Sequence, residues 1–170
     1  EIATQYKMEL NKTLEDIEIE KGKIDTNLIY SDERFVEPML RYIIEDFKNT
    51  RIMHNDKTIG SMVICHSSDQ AKMFNKIFNE KYKDIFKASL ILHDIGDKDT
   101  RKTEVEEFKE GSIDILFVYN MLLTGFDADR LKKLYIGRVV RKHNLLQALT
   151  RVNRPYKNFR YGYVVDFADI

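Results

Sequence analysis

Apolar positions along this chain recur at two spacings, one helical and one strand-like, and the two alternate from about residue 31 onward. Val36, Met39, Leu40, Ile43, Ile44 and Phe47 form a stripe at steps of three and four, which predicts a core-facing helix with Pro38 tolerable only in its first turn. Ser61 to His66 is a short apolar run, followed by Ser67 and Gln70 at capping-box spacing and by the stripe Ala71, Phe74, Ile77 and Phe78. That order reads as strand, tight loop, helix. Ser89 to His93 repeats the strand, a polar loop runs from Gly96 to Thr100, and Val105 with Phe108 mark a helix closed by Gly111. Asp114 to Asn120, Lys133 to Gly137 and Gly162 to Phe167 supply three further strands. Five short, mostly apolar strands alternating with helices predict an α/β fold, a parallel sheet with helices on both faces.

Ligands of such sheets meet the loops at the carboxyl ends of the strands. The expected functional loops are therefore His66 to Asp69, His93 to Asp99, Met121 to Asp129 and the approach to Asn144. Residues 1 to 30 are charged and weakly periodic, with Leu10, Leu14, Ile17 and Ile19 as their main apolar points. They are expected to be a connector with one helix, leaving 31–170 as the domain proper.

Composition narrows the classes. At 170 residues, with 43% hydrophobic content, nine tyrosines and ten phenylalanines, the chain builds one sizeable core. Lysine plus arginine and aspartate plus glutamate number 28 each, so any nucleic-acid contact must be local rather than carried by net charge. Cys65 stands alone inside an apolar run, which excludes an internal disulfide and favours a reducing compartment, so a cytoplasmic location is expected. No apolar run approaches the roughly 20 residues that cross a bilayer, and no membrane partner is expected. The start at Glu1, without methionine, leads us to expect a piece of something longer. Four scattered histidines with no paired spacing give no reason to expect a metal site.

The candidate chemistry lies in two stretches. From Asn144 to Tyr156, Gln147, Arg151 and Arg154 fall on one side of a short helix, because steps of four and three return to nearly the same azimuth. Leu145, Leu146, Ala148, Leu149 and Val152 anchor it, and Pro155 ends it directly after Arg154. Two guanidiniums side by side suit a polyphosphate whose charge develops during transfer. The same residues also fit a capping box, Asn144 with Gln147, and a solvated basic face. The second stretch is Thr124-Gly125-Phe126-Asp127. Gly125 permits close backbone approach, Thr124 offers a hydroxyl and an amide to phosphate, and Asp127 accepts from a ribose hydroxyl or pairs with an arginine; an ordinary strand-to-helix turn has the same composition.

From about Ser61 to Ile170 the order of parts resembles the second RecA-like domain of superfamily-two helicases and translocases. Ser61 to Ser68 resembles their motif IV, Asp114 to Asp127 resembles motif V, and Gln147-x-x-x-Arg151-x-x-Arg154 resembles motif VI. Arg101 to Gly111 is similar to the helix that commonly precedes motif V. Within that superfamily, Leu123 to Ala128, Leu134 to Ile136, Leu146 to Arg154 and Gly162 to Phe167 are most similar to the motor subunit of type I restriction enzymes. Ile136-Gly137-Arg138 departs from the pattern, which leads one to expect an acidic residue in place of the glycine.

The resemblance implies ATP-driven movement along double-stranded DNA, with ATP and Mg²⁺ held mainly by the first RecA-like domain of the same subunit. It implies that Arg151 and Arg154 reach the γ-phosphate, that Gln147 orients that contact or the attacking water, and that Gly125 and Asp127 complete the ATP side. It also implies that His66, Ser67, Ser68, Thr124 and Gly125 face DNA backbone, and that modification and specificity subunits are partners. None of the seven glycines begins Gly-x-x-x-x-Gly-Lys-Ser/Thr, and Val164-Val165-Asp166 follows the arginine helix with no phosphate loop before it. Asp166 is expected to be structural and this chain alone to be inactive. Two alternatives stay open here: the second domain of another superfamily-two DNA or RNA helicase, and a non-catalytic α/β module whose Gln–Arg–Arg helix docks an acidic protein.

Overall fold

A computed structural model describes residues 2–21, 26–93, 96–119, 127–137, 152–157, 159 and 162–167. In chain order these form α1 (Ile2–Lys21), α2 (Thr26–Tyr30), α3 (Glu33–Met53), β1 (Gly60–Ile64), α4 (Ser68–Lys81), β2 (Ala88–Ile91), α5 (Lys98–Glu110), β3 (Ile115–Val118), β4 (Leu131–Ile136) and β5 (Tyr163–Asp166). The strands join in the order β2-β3-β1-β4-β5, every neighbouring pair parallel. The α/β expectation therefore holds.

Helix boundaries follow from their caps. The Ser67 hydroxyl accepts from the Gln70 amide at 3.1 Å and starts α4 where the capping-box spacing put it. Gly111 closes α5 at φ 100°, a left-handed conformation that favours glycine. The start of α5 lies earlier than Val105, because Asp97 caps it by accepting from the Thr100 amide at 2.7 Å. Pro38 is likewise not in the first turn of α3. Asp32 caps that helix by accepting from the Arg34 amide at 2.9 Å, so the helix begins at Glu33 and Pro38 lies inside it, where its missing N–H removes one rung of the ladder.

Handedness explains how the layers form. From β1 the chain moves outward to β2, then turns back to β3, and right-handed crossovers in opposite directions must lie on opposite faces. Accordingly Ala71, Phe74, Ile77 and Phe78 of α4 pack on one face with Val63, Ile115, Phe117 and Tyr135, where Phe74 stacks on Phe117 at 5.5 Å. Phe108 of α5 packs on the other face with Leu116, Val118, Leu134 and Ile136. From β4 to β5 the order advances in the same direction as from β2 to β3, and Val152, which lies between those two strands in sequence, is buried on the α5 face. The long helix α3 covers the α4 face, and Tyr6 of α1 is buried between Tyr42 and Phe167 at ring distances of 5.6 and 5.5 Å.

Candidate functional site

The Arg154 guanidinium is ion-paired with Asp127, and Asp129 stands 4.0 Å away on the same side. Both carboxylates are more than half exposed and Arg154 about a third. An exposed pair of this kind adds less than about 1 kcal/mol to stability, so its consequence is orientation. It fixes one guanidinium in a known direction instead of leaving it solvated.

The backbone beneath Arg154 is held as well. Lys132, fully buried in β4, donates through Nζ to the Val152 carbonyl at 2.8 Å and also to the Arg154 carbonyl. Burial pushes the Lys132 ammonium below the ordinary lysine range, Asp129 opposes that shift, and the Arg154 charge adds to it. A β-strand residue with that burial needs acceptors close by, and the two carbonyls supply them. Gly162 closes on the same segment from the β5 side: a Cβ there would lie 1.8 Å from Val152 Cγ1 and 2.5 Å from the Val152 carbonyl oxygen.

Asp127 opens into a cleft of about 600 Å³ lined by Thr58, Gly111, Asp129, Arg130 and Tyr156 among others. Its floor is Arg130, a buried guanidinium that donates to the carbonyls of Thr58, Phe108 and Ile113 at 2.7 to 2.8 Å and lies over the Phe108 ring at 4.9 Å. Burial draws Arg130 below the usual arginine value while Asp114 pulls it back up. Thr58, Gly111 and Arg130 all precede strands that run in parallel, so the cleft and Asp127 lie at the amino ends of the sheet. This differs from the carboxyl-end expectation for the Met121 to Asp129 loop. A connection between parallel strands leaves one end of the sheet and enters the next strand at the other, and Asp127 comes only four positions before β4.

His66, Ser67 and Ser68 follow the carboxyl end of β1, at the opposite end of the sheet. The His66 backbone N–H is taken by the side-chain oxygen of buried Gln70 at 2.6 Å, while the Gln70 amide donates to the Tyr30 carbonyl at 2.9 Å. The Tyr30 ring packs on the imidazole at 4.5 Å. Also at this end, Gly137 donates its amide to the Ile64 carbonyl at 2.8 Å, and a Cβ there would come within 3.0 Å of Met39 Cε and 3.2 Å of that carbonyl oxygen. That crowding accounts for glycine where the motif pattern suggested an acid. Thr124, Gly125, Gln147 and Arg151 lie outside the described residues. Among the described residues no three His, Cys, Asp or Glu side chains gather as metal ligands, and no helix is long and apolar enough to cross a membrane.

Sequence reasoning passed over Lys132 and Arg130. The strand was expected from Lys133, whereas β4 begins at Leu131 and buries both lysines. The available signal was the charged pair itself, since a central parallel strand hides both faces and a lysine there must find an acceptor.

The family model for type I restriction enzyme subunit R domain 3 matches residues 1–169. The chain belongs to that family. This subunit R domain is 30% identical, over 76% of its length, to the putative type I restriction enzyme MjaVIIIP endonuclease subunit of Methanocaldococcus jannaschii, of which it covers 15%. It spans 5% to 15% of the length of the curated relatives it matches. In structure it is similar to the Mss116p DEAD-box helicase domain 2 bound to an RNA duplex, with a TM-score of 0.59 and 14% identity over 81% of the domain and 50% of that chain. The Mycobacterium smegmatis helicase Lhr bound to ssDNA and AMP-PNP matches with a TM-score of 0.61 and 15% identity over 85% of the domain and 18% of that chain. At such identities the likeness is one of fold, and the fold is that of a second, RecA-like helicase domain.

Proposed function

We propose that this chain is the second motor domain of an ATP-dependent double-stranded DNA translocase within a type I restriction enzyme. In this reading Arg154, with Arg151 beside it, reaches the γ-phosphate of a nucleotide whose phosphates and Mg²⁺ are held by the first RecA-like domain of the same subunit. Gln147 orients that contact or the attacking water, and Gly125 and Asp127 complete the nucleotide side. The observation that carries the reading is the ion pair between Arg154 and Asp127. A guanidinium already oriented by a carboxylate, on a backbone segment pinned by Lys132 just past helical Val152, loses little freedom when an anion replaces that partner.

DNA lies, in the same reading, along the carboxyl end of β1. Because the His66 amide is committed to Gln70, His66 contributes its imidazole there, and the Ser67 and Ser68 hydroxyls with the amino terminus of α4 meet phosphate oxygens without reading sequence. Modification and specificity subunits are the partners of the whole enzyme, and the cytoplasm is its compartment.

Arg154→Ala in the full-length subunit should retain nucleotide binding while ATP turnover falls by about 10³ to 10⁵, the range of arginine fingers. Turnover at the wild-type rate in that variant overturns the proposal.

A further inference from the structure

We infer that Lys132 is the positioning residue of the arginine finger: its ammonium, clamped on the Val152 and Arg154 carbonyls, sets where the Arg154 guanidinium stands. The inference rests on the proposed role of Arg154 and goes beyond it by naming what places that side chain.

Three observations converge on Lys132. The first is the strand itself. The register between β1 and β4 shifts at this point, Gly60 pairing with Leu131 and Ser61 with Lys133, so Lys132 is the extra residue of a β-bulge. Bulges re-aim side chains and are frequent next to functional sites. Lys132 shares the face of Leu134 and Ile136, the face that carries Val152.

The second is the pair of acceptors. Val152 is helical and Asn153 to Pro155 are not, so the Val152 and Arg154 carbonyls lie where a helix runs out of intrahelical donors. A cation at that end is favourable on its own account. The two bonds also span the residue whose side chain must be aimed, because fixing the carbonyls of 152 and 154 fixes the backbone from which the Arg154 side chain departs. The third is Gly162, directly before β5 and beside Lys132 in the register that pairs Lys133 with Tyr163, whose missing side chain lets Val152 lie against its backbone. The finger's backbone is therefore held by a donor and seated closely on Gly162, while its tip is held by Asp127.

A lysine that only filled space would leave catalysis alone once the fold was intact. A positioning residue behaves differently, since a displacement of about 1 Å at a reacting group costs on the order of 10²-fold in rate. The test compares Lys132→Met, Arg154→Ala and the double variant in the full-length subunit, reading kcat and KM for ATP with DNA present and the thermal midpoint of each protein. Lys132→Met should lower kcat by about 10²-fold with KM for ATP changed less than about threefold, and the double variant should turn over no more slowly than Arg154→Ala alone. Full additivity of the two losses, or unchanged kcat in Lys132→Met, overturns the inference. If Lys132→Met does not fold, Lys132→Gln, which keeps an amide donor, decides by the same additivity criterion. The two readings fail separately. Unaffected turnover in Arg154→Ala removes the proposed function, whereas a slow Arg154→Ala beside a fast Lys132→Met removes only the role of Lys132.

Discussion

Arg51 at the end of α3 and Asp114 just ahead of β3 are 63 positions apart in sequence and 2.8 Å apart in the fold. Neither is well exposed, and each holds more than the other. Arg51 also donates to the Ile59 carbonyl at 2.6 Å and lies over the Phe47 and Phe86 rings, while the second Asp114 oxygen accepts from the Lys87 amide at 2.9 Å. Asp114 is further 4.0 Å from the buried Arg130. One carboxylate thus ties α3, the entry to β2 and the base of the cleft beneath β4.

Removing it strands two guanidiniums in a low-dielectric setting. Asp114→Ala should destabilise the chain by about 3 kcal/mol, the scale for breaking a buried charge pair. Urea unfolding should show a lower midpoint at an unchanged slope. A loss below about 0.5 kcal/mol, the range of ordinary surface changes, would mean that water reaches this network freely.

The pH response has a different source. Burial alone would raise the Glu37 carboxyl, but hydrogen bonds and charge from Arg41 and Lys81 outweigh it and hold the group below its ordinary value. A depressed carboxyl stabilises the fold fully above the unfolded value, about 4.3 for glutamate, and loses that contribution as pH falls through the folded value. Glu37→Gln should therefore be less stable than the parent at neutral pH, by under about 1 kcal/mol for partly exposed pairs. The gap should close on acidification below about pH 4. Parallel stability curves from pH 7 to pH 3 would exclude Glu37 as a contributor.

Most of the fold was legible because its signals are local. The Ser67 to Gln70 cap, the Gly111 terminus, the α3 stripe and the five apolar runs each depend on residues within a turn or a strand of one another. The parallel sheet then follows from their alternation. What stayed hidden depends on partners far along the chain. Lys132 reads as polar until Val152, 20 positions later, supplies an acceptor, and Arg130 reads as surface charge until Thr58, 72 positions earlier, closes over it. The end of the sheet at which Asp127 stands was misjudged for another reason. The loop that contains it leaves a carboxyl end and enters β4 at an amino end, because a parallel connection traverses the sheet from end to end.

Asp127 and Arg154 are more exposed than Asp114 and Arg51, and the two pairs should answer mutation in opposite ways. Because water screens the exposed pair, Asp127→Ala should cost less than about 1 kcal/mol in unfolding free energy. In the full-length subunit the same change releases the guanidinium that the proposed mechanism needs in one orientation. Turnover of ATP should drop by roughly 10 to 10²-fold, the cost of a misplaced group. Measuring both quantities on Asp127→Ala and Asp114→Ala separates the roles of the two carboxylates. If Asp127→Ala proves as destabilising as Asp114→Ala and turns over normally, Asp127 is a structural ion-pair partner and Arg154 needs no carboxylate to aim it.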